Sequence, residues 1–321
     1  MHHESNSMKD SISGYDIIGD IHGHAKELKA LLKKMGCLLK GDVWTHPERK
    51  AIFVGDYIDR GLEIRETLNI VKSMVDAGQA FAIMGNHEYN ALAFNYENPC
   101  GGHIRKHTHK NIHQHYETLI QFKKHESEWS DYLSWFSTLP YFLELDGVRF
   151  IHACWDDNHI EYLRKLDGAL TKELLLKSHD KKKYRKTWTV FDEALKGKEI
   201  PLPEGYSFED HEGTRRTKCR SKWWLNTEGL TMQECLFHAP ENLNSMRFPP
   251  EQCSPGYDKG APLVFFGHYW LNHNIPHMQA PNVCCLDYGV AKKGQLVAYR
   301  YYADEDLAYK NQFVSVKAEE S

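Results

Sequence analysis

Five short strings of this 321-residue chain supply a set of metal ligands. They are Gly19-Asp20-Ile21-His22-Gly23, Gly55-Asp56-Tyr57-Ile58-Asp59-Arg60-Gly61, Gly85-Asn86-His87-Glu88, His152-Ala153 and Gly267-His268. Together they offer two Asp (Asp20, Asp56), one Asn (Asn86) and three His (His22, His152, His268), and they leave over His87, Asp59 and Arg60. A sixth string, Leu286-Asp287-Tyr288-Gly289, closes the series. Oxygen and nitrogen donors without a thiol suit manganese, iron or zinc rather than copper. Two such cations about 3.5–4 Å apart clamp the attacking and leaving oxygens of an in-line phosphoryl displacement. The planar fork of Arg60 matches two phosphate oxygens. Asp20 and His22, two apart in one loop, can both reach one cation.

The elements that must hold these residues are legible in the same strings. Asp20 follows the run Tyr15-Asp16-Ile17-Ile18, Asp56 follows Ala51-Ile52-Phe53-Val54, and Asn86 follows Ala80-Phe81-Ala82-Ile83-Met84. His152 ends Val148-Arg149-Phe150-Ile151, and His268 follows Leu263-Val264-Phe265-Phe266. Each run is short, β-favouring and bounded by a turn signal, so it reads as a buried strand. Every candidate ligand then sits at the carboxyl end of a strand, the edge on which α/β folds build their sites. Leu28, Leu31, Leu32 and Met35, and later Leu68, Val71 and Val75, recur at helical spacing before Gly36 and Gly78. The order strand, ligand loop, helix, strand predicts a parallel α/β core. The segment from Val283 to Tyr302 reads as two strands around Lys292-Lys293-Gly294.

The string Gly-Asp-x-x-Asp-Arg-Gly followed by Gly-Asn-His-Glu resembles the calcineurin-like metallophosphoesterases. The likeness is greatest to the phosphoprotein phosphatase superfamily and the bacterial symmetrical diadenosine tetraphosphatases. It runs from Asp16 to about Tyr301, with the middle loosely matched. It implies a four-layer α/β fold, two central mixed β-sheets flanked by helices, with helical or irregular insertions. It also implies two divalent metal ions, with manganese favoured and iron or zinc as alternatives. By the same likeness Asp56 bridges the pair, and Asn86, His152 and His268 complete the second metal. His87 resembles the general acid, with Asp59 holding its imidazole. A water bridging the metals would lose its proton near neutral pH and attack the phosphorus. Two departures stand out. Ala153 follows His152 where protein phosphatases carry Gly, which is closer to the dinucleotide hydrolases. Trp270 occupies the position where nuclease and phosphodiesterase branches carry a further His ligand, and Trp cannot ligate.

The resemblance also implies a second phosphate-binding Arg after the fourth string. The candidates are Arg215, Arg216 and Arg220, in a basic run from Glu212 that ends at Trp223-Trp224. The run reads equally as a pocket mouth or as a solvated turn with the two Trp in the core. Five His at 103, 107, 109, 113 and 115 sit with no carboxylate or thiol among them, so they read as exposed. Leu119, Phe122, Trp129, Leu133, Trp135 and Phe136 are core candidates in the same, mostly helical stretch.

The motifs run from Asp20 to His268 and must converge, so the chain reads as one catalytic domain over 1–321, with insertions at about 95–146 and 157–262. A net charge of −4 and no basic block longer than Lys181-Lys182-Lys183 argue against a nucleic-acid binder. No 18-residue apolar run predicts a membrane span. The polar start Met1-His2-His3-Glu4-Ser5 lacks a signal core, and eight Cys without a C-x-x-C pair read as reduced thiols. Both point to the cytoplasm; oligomeric state is open. The expected function is hydrolysis of phosphomonoesters, including phosphoprotein, by a dinuclear metal-dependent phosphatase. The alternative is hydrolysis of diadenosine tetraphosphate or a related nucleotide anhydride. A catalytically inactive binding module fits poorly, because the ligands and His87 are all present.

Overall fold

The computed structural model describes residues 12–166, 169–209, 213, 215–237, 239–272, 274–302 and 312–319. The polar start at Met1–Ser5, and Glu212 and Thr214 of the basic run, lie outside them. The chain begins with β1 (Gly14–Ile18), α1 (Ala25–Lys34), a hairpin of β2 (Leu38–Lys40) and β3 (Val43–Thr45), β4 (Arg49–Phe53), α2 (Ile64–Asp76), β5 (Ala80–Ala82) and α3 (Asn86–Asn95). β1, β4 and β5 pair in parallel, with Ile17 opposite Ile52 and Ile52 opposite Phe81. Leu28, Leu31 and Leu32 line the buried face of α1, and Leu68 and Val71 that of α2. Residues three and four apart share a helix face, which is why these runs fold as amphipathic helices.

The aromatic stretch forms α4 (His109–Phe122) and α5 (Glu126–Thr138). Phe122, Trp129, Leu133 and Phe136 are buried, whereas Trp135 is half-buried against the core and Leu119 only partly covered. The stretch then turns into β6 (Phe142–Leu145), which pairs with β7 (Val148–Ile151). The turn is Asp146-Gly147, both left-handed at φ 49° and 75°, the backbone that tight hairpins require. His115 is buried, not exposed as its neighbours suggested. α4 turns it inward, toward a carboxylate 56 residues earlier in the chain.

After β7 come α6 (Asp157–Arg164), α7 (Lys172–His179), α8 (Arg185–Lys196), β8 (Glu199–Pro201), β9 (Phe208–Glu209), β10 (Arg215–Arg216), β11 (Lys218–Arg220) and α9 (Met232–Cys235). β8 pairs with β11 and β9 with β10, over a small core of Ile200, Leu202, Met232 and Phe248. Trp223 and Trp224 are buried in the main core, and the Trp223 indole donates to Ala153 O at 3.0 Å.

β12 (Val264–Phe266), β13 (Val283–Cys285), β14 (Asp287–Tyr288), β15 (Gln295–Tyr302) and β16 (Phe313–Lys317) complete the chain. The run expected as one strand before Lys292 is two. β13 joins β12, while β14 joins β15 in the other sheet. Leu286 makes the crossing. Its N–H donates to Phe266 O at 2.8 Å, and its carbonyl passes so close over Gly19 that a Cβ there would lie 2.1 Å away. One sheet is ordered β14-β15-β1-β4-β5, with β16 on β15; the other is β13-β12-β7-β6. Both are mixed, since β15 runs antiparallel to β1 and β6 to β7. They face each other, with Phe265 of β12 5.1 Å from the Tyr299 ring of β15. α1 and α2 cover the first sheet, and α8 lies against the end of β7 in the second, where Ala153 N donates to Ala194 O at 3.0 Å. No helix among the described residues is long and apolar enough to cross a membrane.

Candidate metal centre

The loops after β1, β4, β5, β7 and β12 bring Asp20, His22, Asp56, Asn86, His152 and His268 together, every one of them buried. Two trios have ligand atoms mutually within 4.8 Å: His22, Asp56 and His87, and Asp56, His152 and His268. Asp56 is common to both. Its Oδ2 lies 3.6 Å from His22 Nε2 and its Oδ1 3.4 Å from His152 Nε2. Asn86 Oδ1 lies 3.0 Å from His152 Nε2 and 2.7 Å from His268 Nδ1. Asp20 Oδ2 accepts from His268 N at 2.9 Å.

Two of the imidazoles are aimed by the backbone. His22 Nδ1 donates to Ile58 O at 2.9 Å, which leaves its Nε2 as a lone pair, and His152 Nδ1 donates to Val54 O at 2.8 Å; burial pushes the His152 pKa down, but the charge of Asp56 outweighs it and raises it. Burial, then the neighbouring His87, holds His22 down at about 3, so it is a neutral ring. Burial raises Asp20 well above the usual carboxylate range, and the charges of Asp287 and Asp56 add to it. At Asp56 burial also pushes up, but His152 and His87 outweigh it and hold the carboxyl well below that range. Asp20 Oδ1, His22 Nε2 and His268 Nε2 are buried without a hydrogen-bond partner among the described residues. Orphaned acceptors beside crowded carboxylates fit divalent cations, which would satisfy the lone pairs and offset the like charge.

The approach is tight. A Cβ on Gly85 would lie 2.3 Å from Asp56 Oδ1, and one on Gly267 1.9 Å from Asp20 Oδ1. His22, Asp56, Asp59, Arg60, His268 and Trp270 all hold left-handed backbones, with φ between 47° and 73°. Non-glycine residues avoid that region, and such strain persists where the surrounding structure enforces it.

Beside the ligands, His87 Nδ1 lies 2.5 Å from Asp59 Oδ2 and its Nε2 3.9 Å from Asp56 Oδ2. The Arg60 guanidinium sits 4.4 Å above the Trp270 ring, a cation–π contact. Of the later Arg candidates, Arg215 is exposed and donates to Ser207 Oγ at 2.9 Å. Arg216 pairs in β10 opposite Phe208. Arg220 reaches the site electrostatically: after burial, its charge is the largest cause holding His268 well below the usual range.

Sequence reasoning gave no role to four residues that the structure ties to the site. Glu88 accepts from Gly85 N, Asp56 N and Tyr57 N at 3.0, 2.9 and 2.8 Å, clamping two ligand loops together. Three residues after the Gly85 N-cap, it makes the half of a capping box in which the N3 carboxylate takes the N-cap N–H, since glycine has no side chain to return the bond. Asp287 accepts from Trp270 N and Gly289 N at 2.8 and 3.0 Å, and its own string marked it. His115 and Thr118 both bond Asp59 Oδ1. No local signal distinguished His115 from the His around it.

A family model described as calcineurin-like phosphoesterase matches residues 15–269. The chain belongs to the calcineurin-like phosphoesterase family. It is a hydrolase. An asymmetrical bis(5'-nucleosyl)-tetraphosphatase, PrpE, of Oceanobacillus iheyensis is 30% identical to this phosphoesterase over 139 residues, 43% of this chain and 54% of the relative. A protein of the same description from Anoxybacillus flavithermus is 46% identical over 74 residues, 23% of this chain and 30% of its own. The phosphoesterase thus spans about half or less of the length of these relatives. Among solved structures, a cold-active protein tyrosine phosphatase superposes with a TM-score of 0.50 at 17% identity, over 96% of this chain and 80% of that one. That likeness is one of fold.

Proposed function

We propose that this phosphoesterase is a dinuclear metal-dependent phosphatase acting on phosphomonoesters, phosphoprotein included. The observation that carries the reading is Asp56, shared by two ligand trios with the His87–Asp59 pair alongside. Asp20, His22 and Asp56 would hold one cation, and Asp56, Asn86, His152 and His268 the other. Manganese is the favoured metal, with iron or zinc as alternatives. When bound, the cations supply Lewis-acid polarisation of the phosphate and a lowered pKa for water. The chain's own residues do the rest. Arg60, steadied by Trp270, binds non-bridging phosphate oxygens, and Arg220 adds positive charge near His268. His87 gives the proton on Nε2 to the leaving oxygen, and Asp59 orients the ring and stabilises it when charged.

A second reading, hydrolysis of a dinucleoside tetraphosphate, is favoured by the description that the curated relatives carry. Both use the same site. Eight free thiols support a reducing compartment such as the cytoplasm.

Prolonged chelation is expected to abolish hydrolysis and manganese to restore it; full activity in protein shown metal-free by elemental analysis overturns the metal reading. Phosphate release from phosphopeptides set against release from dinucleoside polyphosphates separates the two substrate classes. Higher kcat/KM on the polyphosphates replaces the first reading with the second.

A further inference from the structure

Asp59 is held by more than the histidine it orients. Its Oδ2 accepts from His87 Nδ1 at 2.5 Å. Its Oδ1 accepts from His115 Nδ1 at 2.7 Å and from Thr118 Oγ1 at 2.5 Å. A carboxylate only accepts, so both imidazoles turn a protonated Nδ1 toward it. His115 and Thr118 lie three apart on α4, so one helix face supplies both donors. Asp59 itself is left-handed at φ 69° in the loop after β4, and Thr118 Oγ1 also accepts from its N–H at 3.1 Å.

His115 sits in an aromatic slot. Its ring centroid is 5.2 Å from Phe94 and 5.8 Å from Trp129. Its second nitrogen, Nε2, is buried and finds no hydrogen-bond partner among the described residues. An apolar side chain would fill this slot without burying an unpaired nitrogen, which is unfavourable. Packing therefore does not account for an imidazole here; the carboxylate does.

We propose that His115 is a positioning residue for the hydrolysis, acting through Asp59. It fixes the Asp59 carboxylate so that Oδ2 holds the His87 ring toward the leaving oxygen. This rests on the reading of His87 as the acid. In the step, a water oxygen forms a new P–O bond and gives up a proton to solvent as the P–O bond to the leaving group breaks; the leaving oxygen keeps the electron pair of the broken bond and takes the proton from His87 Nε2. His115 exchanges no proton. Without it, Oδ1 retains Thr118 alone, the carboxylate can swing about its Cβ–Cγ bond, and the acid loses alignment, to which rates are sensitive.

The test compares His115→Leu, which deletes the donor, with His115→Asn, whose amide nitrogen can stand where Nδ1 stood. Substrates are glycerol 2-phosphate, with a poor leaving group, and p-nitrophenyl phosphate, with a good one. His115→Leu is expected to lower kcat on glycerol 2-phosphate by about 10- to 100-fold, part of the roughly 10²–10⁴-fold that a positioned acid supplies. KM should hold, and p-nitrophenyl phosphate should be little affected. His115→Asn should recover most of the loss, and His115→Leu should add nothing in a His87→Asn background. In proton NMR of the metal-free protein, His115→Leu should remove one downfield imidazole N–H signal and shift that of His87. Equal losses on both substrates, or additive losses in the double variant, overturn the proposal. If His115→Leu does not fold, His115→Gln replaces it, since its longer amide misses the Nδ1 position; activity of His115→Gln equal to that of His115→Asn is then the contrary result. A His87→Asn variant that itself loses equally on both substrates brings down the acid assignment, and the role of His115 with it.

Discussion

His87 has two places to be. Its Nδ1 is committed to Asp59, yet its Nε2 falls within the trio of His22 and Asp56 that could hold a cation. The acid role and the ligand role differ in a countable way. His87→Asn is expected to keep its full metal content by elemental analysis while losing roughly 10²–10⁴-fold in kcat on esters with poor leaving groups. Loss of a metal equivalent would make it a ligand instead. Arg60 is a second residue whose geometry sets a number. Removing one preorganised donor to a developing charge typically lowers turnover by about 10²–10³, so Arg60→Ala should fall by that much and respond weakly to inorganic phosphate as an inhibitor. Arg60→Lys should recover only part, because an ammonium keeps the charge but loses the fork and the guanidinium's contact over Trp270. Arg220→Ala should raise KM more than it lowers kcat. If Arg220→Ala instead collapses kcat while Arg60→Ala is silent, the phosphate site is on the Arg220 side.

Among the elements, β1 carries a charge where a buried strand should have none. Asp16 is 2% exposed, and its carboxylate accepts from Arg49 Nε on β4 at 2.8 Å and Arg300 Nε on β15 at 3.1 Å. Arg49 also donates to Tyr15 O and Tyr301 O, at 2.6 and 2.7 Å, so one ion cluster fastens three adjacent strands. Deleting one partner of a buried pair strands the other charge and destabilises by about 3–5 kcal/mol. Asp16→Ala should therefore lower the urea unfolding free energy by about that amount. A loss under about 1 kcal/mol would mean that the strand ladder alone fixes this edge. β1 and β4 then present Asp20 and Asp56 side by side, because parallel strands in register end together. The left-handed φ at Asp56, Asp59 and Arg60 turns the chain back at once, and Glu88 pins the turn.

For the whole molecule, a metal pair at this centre would link residues that are far apart in sequence. A cation that binds only the folded chain stabilises it by mass action. Manganese should raise the unfolding temperature of the metal-free protein in a concentration-dependent way. Asp56→Asn should abolish most of that rise and leave little of either metal, since one shared oxygen donor is weakened for both. His22→Ala should keep the second metal and part of the rise. Equal metal stoichiometry in the two variants would show that Asp56 is not the bridge.

What the sequence determined by itself is local. Apolar runs of four or five residues become strands, and the next turn must put its polar residue at the strand end, so Asp20, Asp56, Asn86, His152 and His268 were readable as one edge. The helices after them were readable from their three-and-four spacing. Tertiary structure decided whatever depends on distant partners. The chain pattern placed His115 among four other His on one stretch; only the packing of α4 against the Asp59 loop buried it and gave it a carboxylate. The run from Val283 to Tyr288, apolar but for Asp287, carried no glycine or proline to mark a break. It divides between two sheets because β12 and β15 each leave an edge free beside it. Arg220 separated from Arg215 and Arg216 for the same reason: on β11 its charge acts on His268, and a run of like charges does not encode which of its members a fold will turn inward.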